Sequence, residues 1–159
     1  MSNAQQTAPQ WLIKSFSELT TNELYDIIKL RIDVFVVEQT CYYSDLDDLD
    51  RHQETLHIFS YLDGKICSYA RLLAKGTTYE DYVSIGRVIT AEHGRGKGLG
   101  HQLINQCLAA ANRGFKGQRI KISAQEHLEN FYQQHGFKRV TDMYLEDGIP
   151  HIGMIKEDI

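Results

Sequence analysis

IGRVITAEHGRGKGLGHQLI, residues 85–104, decides the fold. Its first part is rich in β-formers. Its last part sets Leu99, Leu103 and Ile104 at helical spacing. Between them lies GRGKGLG, in which Gly94, Gly96, Gly98 and Gly100 alternate with Arg95, Lys97 and Leu99. Glycine gives up the most backbone freedom on folding, so this run is costly to order. Its place directly before a helix supplies the compensation. Backbone N–H groups without intrahelical partners, and a dipole equivalent to roughly half a positive charge, make that point an anion site. Arg95 and Lys97 add full charges. A loop whose glycines serve only for turning leaves the two cations unexplained.

Two nucleotide fingerprints fail here. The P-loop needs Lys followed by Ser or Thr, but Gly98 follows Lys97, so no hydroxyl is placed for magnesium. The dinucleotide fingerprint G-x-G-x-x-G begins at Gly94 and Gly96, yet Leu99 stands where its third glycine belongs; begun at Gly96, it meets His101 there. What fits is R-x-x-G-x-G, as Arg95, Gly98 and Gly100.

Working outward, the 159 residues suit one domain, expected over 11–159, with a tag-like, disordered segment at 1–10 that carries no fold meaning. Thr20 and Glu23 form a capping box for a helix expected to reach about Val36. Asp63-Gly64 joins two strands in a hairpin. Residues 82–90 read as a strand, and the helix after the glycine run stops at Gly114. Residues 119–123 read as a strand, Ser123 with Glu126 as a second capping box, and Gly136 as the stop of a third helix. Two strands are expected at 138–146 and 151–157, around Asp147-Gly148. The predicted order is β-α-β-β-β-α-β-α-β-β, a mixed sheet with helices on its faces.

Composition narrows the partners. A net charge of -4 argues against nucleic acid, which wants a basic face. No apolar run is long enough for a membrane span. The start MSNAQQTAPQ has no secretory h-region. Cys41, Cys67 and Cys107, odd in number and without a CxxC pair, give neither a disulfide framework nor a zinc site; reduced thiols and a cytoplasmic location are expected, with no metal.

The R-x-x-G-x-G loop within residues 85–104 resembles the acyl-CoA pyrophosphate loop of the GNAT N-acetyltransferase family. AQEHLENFYQQHGF, residues 124–137, is similar to that family's second signature, a helix carrying Phe-Tyr and ending in Gly-Phe. A narrower likeness, through FVVEQTCYYSDLDDLD, AQEHLENFY and EDGIPHIGM, is to the ElaA-like group. The likeness covers about residues 11 to 157. It implies an α/β (α+β) fold: a mixed, mostly antiparallel central sheet of about seven strands flanked by three to four helices.

The resemblance implies an acetyl-CoA-dependent N-acetyltransferase that passes the acyl group directly to a primary amine of a small molecule or peptide, in a ternary complex. Carried over, Val88, Ile89 and Thr90 take the pantetheine arm as an added strand would. Arg95, Gly96, Lys97, Gly98, Leu99, Gly100 and His101 hold the pyrophosphate. Gln125, where the family often has Asn, contacts the CoA arm. Tyr132 matches the position that protonates the departing thiolate, a task suited to a phenol near pKa 10. The alternative of another class is a non-catalytic acyl-CoA-binding module, which has no need of that hydroxyl. A nucleotide-hydrolysing protein is disfavoured by the missing Lys-Ser/Thr pair.

The base that frees the amine is not fixed by this resemblance. The family often places Glu on the strand before the loop; here stand Ser84, Gly86 and Arg87. Arg87 suits anion binding or bracing of a carboxylate. Glu38, His57, Asp45 and His151 remain, with Glu38 and His57 taken forward as base or acceptor-site residues. Asp45, Asp47, Asp48 and Asp50 form an acidic loop that lacks the glycine and closing Glu of a calcium loop. It either attracts a cationic acceptor or is a solvated surface. The family likeness also admits a homodimer, paired through the final strands carrying Ile149, Ile152 and Met154.

Overall fold

A computed structural model describes residues 8–96 and 98–157. Residues 1–7 of the tag-like segment, and Lys97, lie outside the described residues; Gln10, also assigned to that segment, opens the first strand.

Strand β1 (Gln10–Lys14) leads into α1 (Thr21–Arg31). The helix begins where its capping box predicts. The Glu23 amide donates to Thr20 Oγ1 at 3.0 Å, and the Thr20 amide donates to Glu23 Oε1 at 2.9 Å. After Arg31 the chain does not stop. It widens into a π-helical segment, Ile32–Glu38, a form that recurs at functional sites.

Strands β2 (Leu56–Leu62), β3 (Lys65–Leu73) and β4 (Val83–Thr90) follow. Asp63 and Gly64, at φ 51 and 78, close the β2–β3 hairpin. Then come α2 (Leu99–Gly114), β5 (Ile120–Gln125), α3 (Glu129–Gln133), β6 (Lys138–Arg139), β7 (Tyr144–Glu146) and β8 (Ile149–Lys156). The single strand expected at 138–146 is two short ones. Between them Thr141 folds over β8, its Oγ1 accepting from the Gly153 amide at 2.8 Å. A Cβ at Gly153 would lie 2.8 Å from the Thr141 methyl, so this approach requires glycine.

All eight strands form one sheet in the order β1-β2-β3-β4-β5-β8-β6, with β7 also on β8. Every pairing is antiparallel except β4 with β5. Among the described residues there is one strand more than expected, because 138–146 divides.

Each face has its own core. Helices α2 and α3 cover Ile58, Leu72, Val83, Ile122, Ile152 and Met154 with Leu103, Ile104, Cys107 and Tyr132. Helix α1 covers Phe59, Tyr69 and Ile89 with Ile27, Leu30 and Val34. Ile152 and Met154, expected in the final strands, are fully buried in this chain's own core. The Ser123–Glu126 capping box does not form either. Strand β5 runs on to Gln125, and Ser123 turns its hydroxyl to Tyr144 and Glu146 instead.

Candidate active site

The site begins where two strands part. Strands β4 and β5 pair only at Val83–Ile120 and Ser84–Lys121. Beyond Ser84 the β4 edge turned toward β5 has no strand partner, and a cleft of about 420 Å³ opens there. A bulge in β4 aims its residues. Tyr69 pairs with Ile89 and Arg71 with Gly86, so Arg87 and Val88 share the place opposite Ala70. Arg87 takes φ 54, a left-handed value uncommon for a residue with a Cβ. In an unbroken strand residues four apart share a face. Here Ile85 packs under α2 and Ile89 under α1.

Arg87 braces a carboxylate. Its Nε lies 2.9 Å from Asp45 Oδ1, and its guanidinium sits over the Tyr43 ring at 5.4 Å. This belongs to a larger set. Arg31 donates to Asp45 at 2.8 Å and to Asp50 at 2.7 Å; Arg71 donates to Asp47 at 2.8 and 2.9 Å and to Asp50 at 3.1 Å. Burial works against ionised Asp50, but its two arginines outweigh that and lower its pKa. Three of the four loop aspartates are therefore counter-ions of buried or half-buried arginines. Asp48 is exposed and pairs with Arg51 instead. Exposed positions at 44 and 46–48 thus alternate with carboxylates already engaged inside the chain.

His57 lies beneath this network and does not line the cleft. It is 1% exposed, with Nδ1 2.7 Å from the Tyr69 hydroxyl and Nε2 3.0 Å from the Asp50 carbonyl. Burial lowers its pKa. Strand alternation carries it into the arginine cluster. Glu38 is engaged in an ion pair and is likewise not among the residues lining the cleft. Arg95 holds both its oxygens, at 2.7 and 3.0 Å, and this contact lowers the Glu38 pKa. Arg95 Nε also donates to the Thr90 carbonyl at 3.0 Å, which anchors the loop to the end of β4.

Within the glycine run, Gly96 and Gly98 take φ 79 and 72, and a Cβ on either would meet nothing within 4 Å. Gly98 immediately precedes α2 and has no side chain to occupy the helix start. A Cβ at Gly100 would lie 3.4 Å from the Phe131 ring. Leu99 sends its side chain into the core, leaving its backbone to the loop. His101 is exposed, its Nδ1 2.8 Å from Nε2 of His135 and its ring 4.6 Å from that of Phe131. Val88, Ile89, Thr90, Arg95, Gly100 and Gln125 line the cleft together. An open strand edge ending in an uncapped helix start fits an extended, phosphate-terminated ligand, and acyl-CoA is one.

Tyr132, on α3, lines the same cleft while being only 5% exposed. Phe131 and Phe137 pack edge-on against it at 5.1 and 5.9 Å. Burial pushes the phenol pKa up. Its hydroxyl makes no hydrogen bond among the described residues. A further group lines or borders the cleft, of which sequence reasoning named only His151 as a site residue: Ser123 hydrogen-bonds with Tyr144 and Glu146, and His151 Nε2 lies 3.2 Å from Glu146 Oε2, the four coming from three strands. No local pattern announces it, because its members come together only through the β5–β8 and β7–β8 registers. Among the described residues, no three or more His, Cys, Asp or Glu are grouped to hold a metal, and no helix is long and apolar enough to cross a membrane.

A mixed sheet parted beside a glycine loop and helix start is the fold of the acyl-CoA N-acyltransferases. The chain matches the acetyltransferase (GNAT) domain over residues 25–158 and belongs to that family, whose fold binds acyl-CoA and supports acyl transfer from it. It is 42% identical over 150 residues to Protein ElaA of Escherichia coli, covering 94% of this chain and 97% of that one. The crystal structure of Escherichia coli ElaA superposes with TM-score 0.89, over 94% of this chain and all of that one. An acyl-CoA N-acyltransferase from Pseudomonas aeruginosa is 44% identical, with TM-score 0.89, over 94% of this chain and 99% of that one.

Proposed function

We propose that this protein transfers an acetyl group from acetyl-CoA to a primary amine, directly and in a ternary complex. The observation that carries the reading is Tyr132, a residue 5% exposed whose hydroxyl has no partner among the described residues, in the cleft where β4 and β5 part. Acetyl-CoA supplies a thioester activated for attack. The free β4 edge at Val88–Thr90 takes its arm by backbone hydrogen bonds. The N–H groups from Arg95 to His101, with the start of α2, hold its pyrophosphate. Tyr132 gives its proton to the departing sulfur, and its raised pKa keeps that proton in place through neutral pH.

The test is Tyr132→Phe, which keeps the ring and removes the proton. Calorimetry should give an acetyl-CoA Kd within about twofold of wild type, and thiol release should fall about 10²-fold. Turnover equal to wild type removes the acid role. Binding without turnover in the wild type as well favours the non-catalytic module.

A further inference from the structure

We infer that His151, held by Ile149 and Glu146, is the base that frees the acceptor amine, on the sheet face opposite Tyr132. The inference rests on the acyl-transfer reading above. His151 is 7% exposed yet lines the cleft. Its Nδ1 lies 2.7 Å from the Ile149 carbonyl. A carbonyl only accepts, so this contact is a hydrogen bond in the tautomer that carries Nδ1–H, and in that tautomer Nε2 is the ring's proton acceptor. Glu146 Oε2 lies 3.2 Å from that Nε2, where it stabilises the cation formed. Glu146 is itself held, its Oε1 accepting from Ser123 Oγ at 3.2 Å; Ser123 Oγ and the Tyr144 hydroxyl are 2.5 Å apart. The Tyr144 ring stacks on the imidazole at 6.3 Å and 23°.

Strand alternation sets the face. Ile152 lies in the core under α2 and α3, and Tyr132 belongs to that core, so His151 beside it points to the other face. Ser123, between core residues Ile122 and Ala124, follows the same rule. Base and acid therefore address one cleft from opposite sides, leaving the line between them for amine and thioester. The titratable groups around His151 are Glu146 and Tyr144 on β7, Asp147 in the turn, and Cys41, whose thiol donates to the Asp147 carbonyl. Tyr79 stands near Tyr144 and Glu146. Tyr43 and Arg87 line the cleft from β4 and the acidic loop, Arg87 already paired with Asp45.

The proton moves as follows. One N–H bond of the incoming ammonium breaks, its electron pair stays on nitrogen, and Nε2–H forms. The neutral amine attacks the acyl carbon; a C–N bond forms and the C–S bond breaks. Tyr132 protonates the sulfur and is restored by the second proton the nitrogen sheds. Nε2 releases its proton to water, one per acetyl transferred.

His151→Gln tests this. At pH 7 kcat/KM for an alkylamine should fall by about 10²-fold or more, with the acetyl-CoA Kd and melting temperature held. The deficit should shrink to under about tenfold at pH 10, where an amine of pKa near 10.4 is substantially free base. Should the glutamine variant fail to fold, Glu146→Gln at the half-exposed partner should show the same pH-dependent deficit in smaller degree. A nitrogen-15 correlation spectrum of the wild type should show neutral His151 protonated at Nδ1. A deficit equal at every pH, or an Nε2-protonated ring, overturns the role of His151 alone. A wild type that binds acetyl-CoA and acylates no amine overturns the acyl-transfer reading and the base with it.

Discussion

At the residue scale, the cleft separates side chains by what already occupies them. Tyr132 is buried and its hydroxyl has no partner among the described residues; Glu38 has both oxygens on Arg95. A carboxylate held this way is a poor base, because the arginine favours its charged form. Glu38→Gln should therefore leave kcat for the amine within about threefold, where removal of a base costs about 10²-fold or more. Steady-state kinetics at pH 7 separates the two. Contiguous motifs made positions legible: Tyr132 beside Phe131 lies in the cleft, and Gly98 stands directly before α2. The sequence named His57 without placing it under the arginines, which depends on the register of β2 against β3, and it was silent on Glu146, which reaches His151 across a turn and Ser123 from another strand.

At the element scale, the acidic loop is the instructive case. Four aspartates in six residues read equally well as a lure or as solvated surface. The structure makes three of them the internal partners of Arg31, Arg71 and Arg87, from α1, β3 and β4. Those arginines are far apart in sequence, so no local pattern reveals them. Removing one partner of a buried pair strands the other's charge, at a cost of about 3–5 kcal/mol. Asp50→Ala strips a ligand from both Arg31 and Arg71 and should lower stability by that order in urea titration. Asp48→Asn, at the exposed position, should change stability by under about 0.5 kcal/mol. The β4 bulge belongs to this scale too. Residues 82–90 read correctly as a strand, but nothing in them announces that Arg87 takes φ 54 and turns Ile89 to the opposite core.

At the scale of the whole molecule, the mixed sheet was legible from the order of its elements; the parting of β4 from β5 depends on register between distant strands, and the extra strand came from Thr141 closing over Gly153, a contact with no local cause. Burial also sets how the molecule responds to acid. His57 has a folded pKa below its ordinary value of about 6.5, so below that pH the unfolded chain binds the proton first and stability falls. Asp47 and Asp50, lowered by their arginines against burial, add a second loss below about pH 4. The urea midpoint should thus decline in two steps, and His57→Gln should flatten the first while leaving the second. The central claim is amine-dependent acyl transfer, and it is tested most directly by incubating the protein with acetyl-CoA and a panel of polyamines, amino acids and peptide N-termini while free thiol and N-acetyl product are measured together. The account predicts that at least one amine raises thiol release above the amine-free rate, with one N-acetyl product formed per thiol. Tight acetyl-CoA binding with no amine-dependent thiol and no acetylated product across the panel would contradict it.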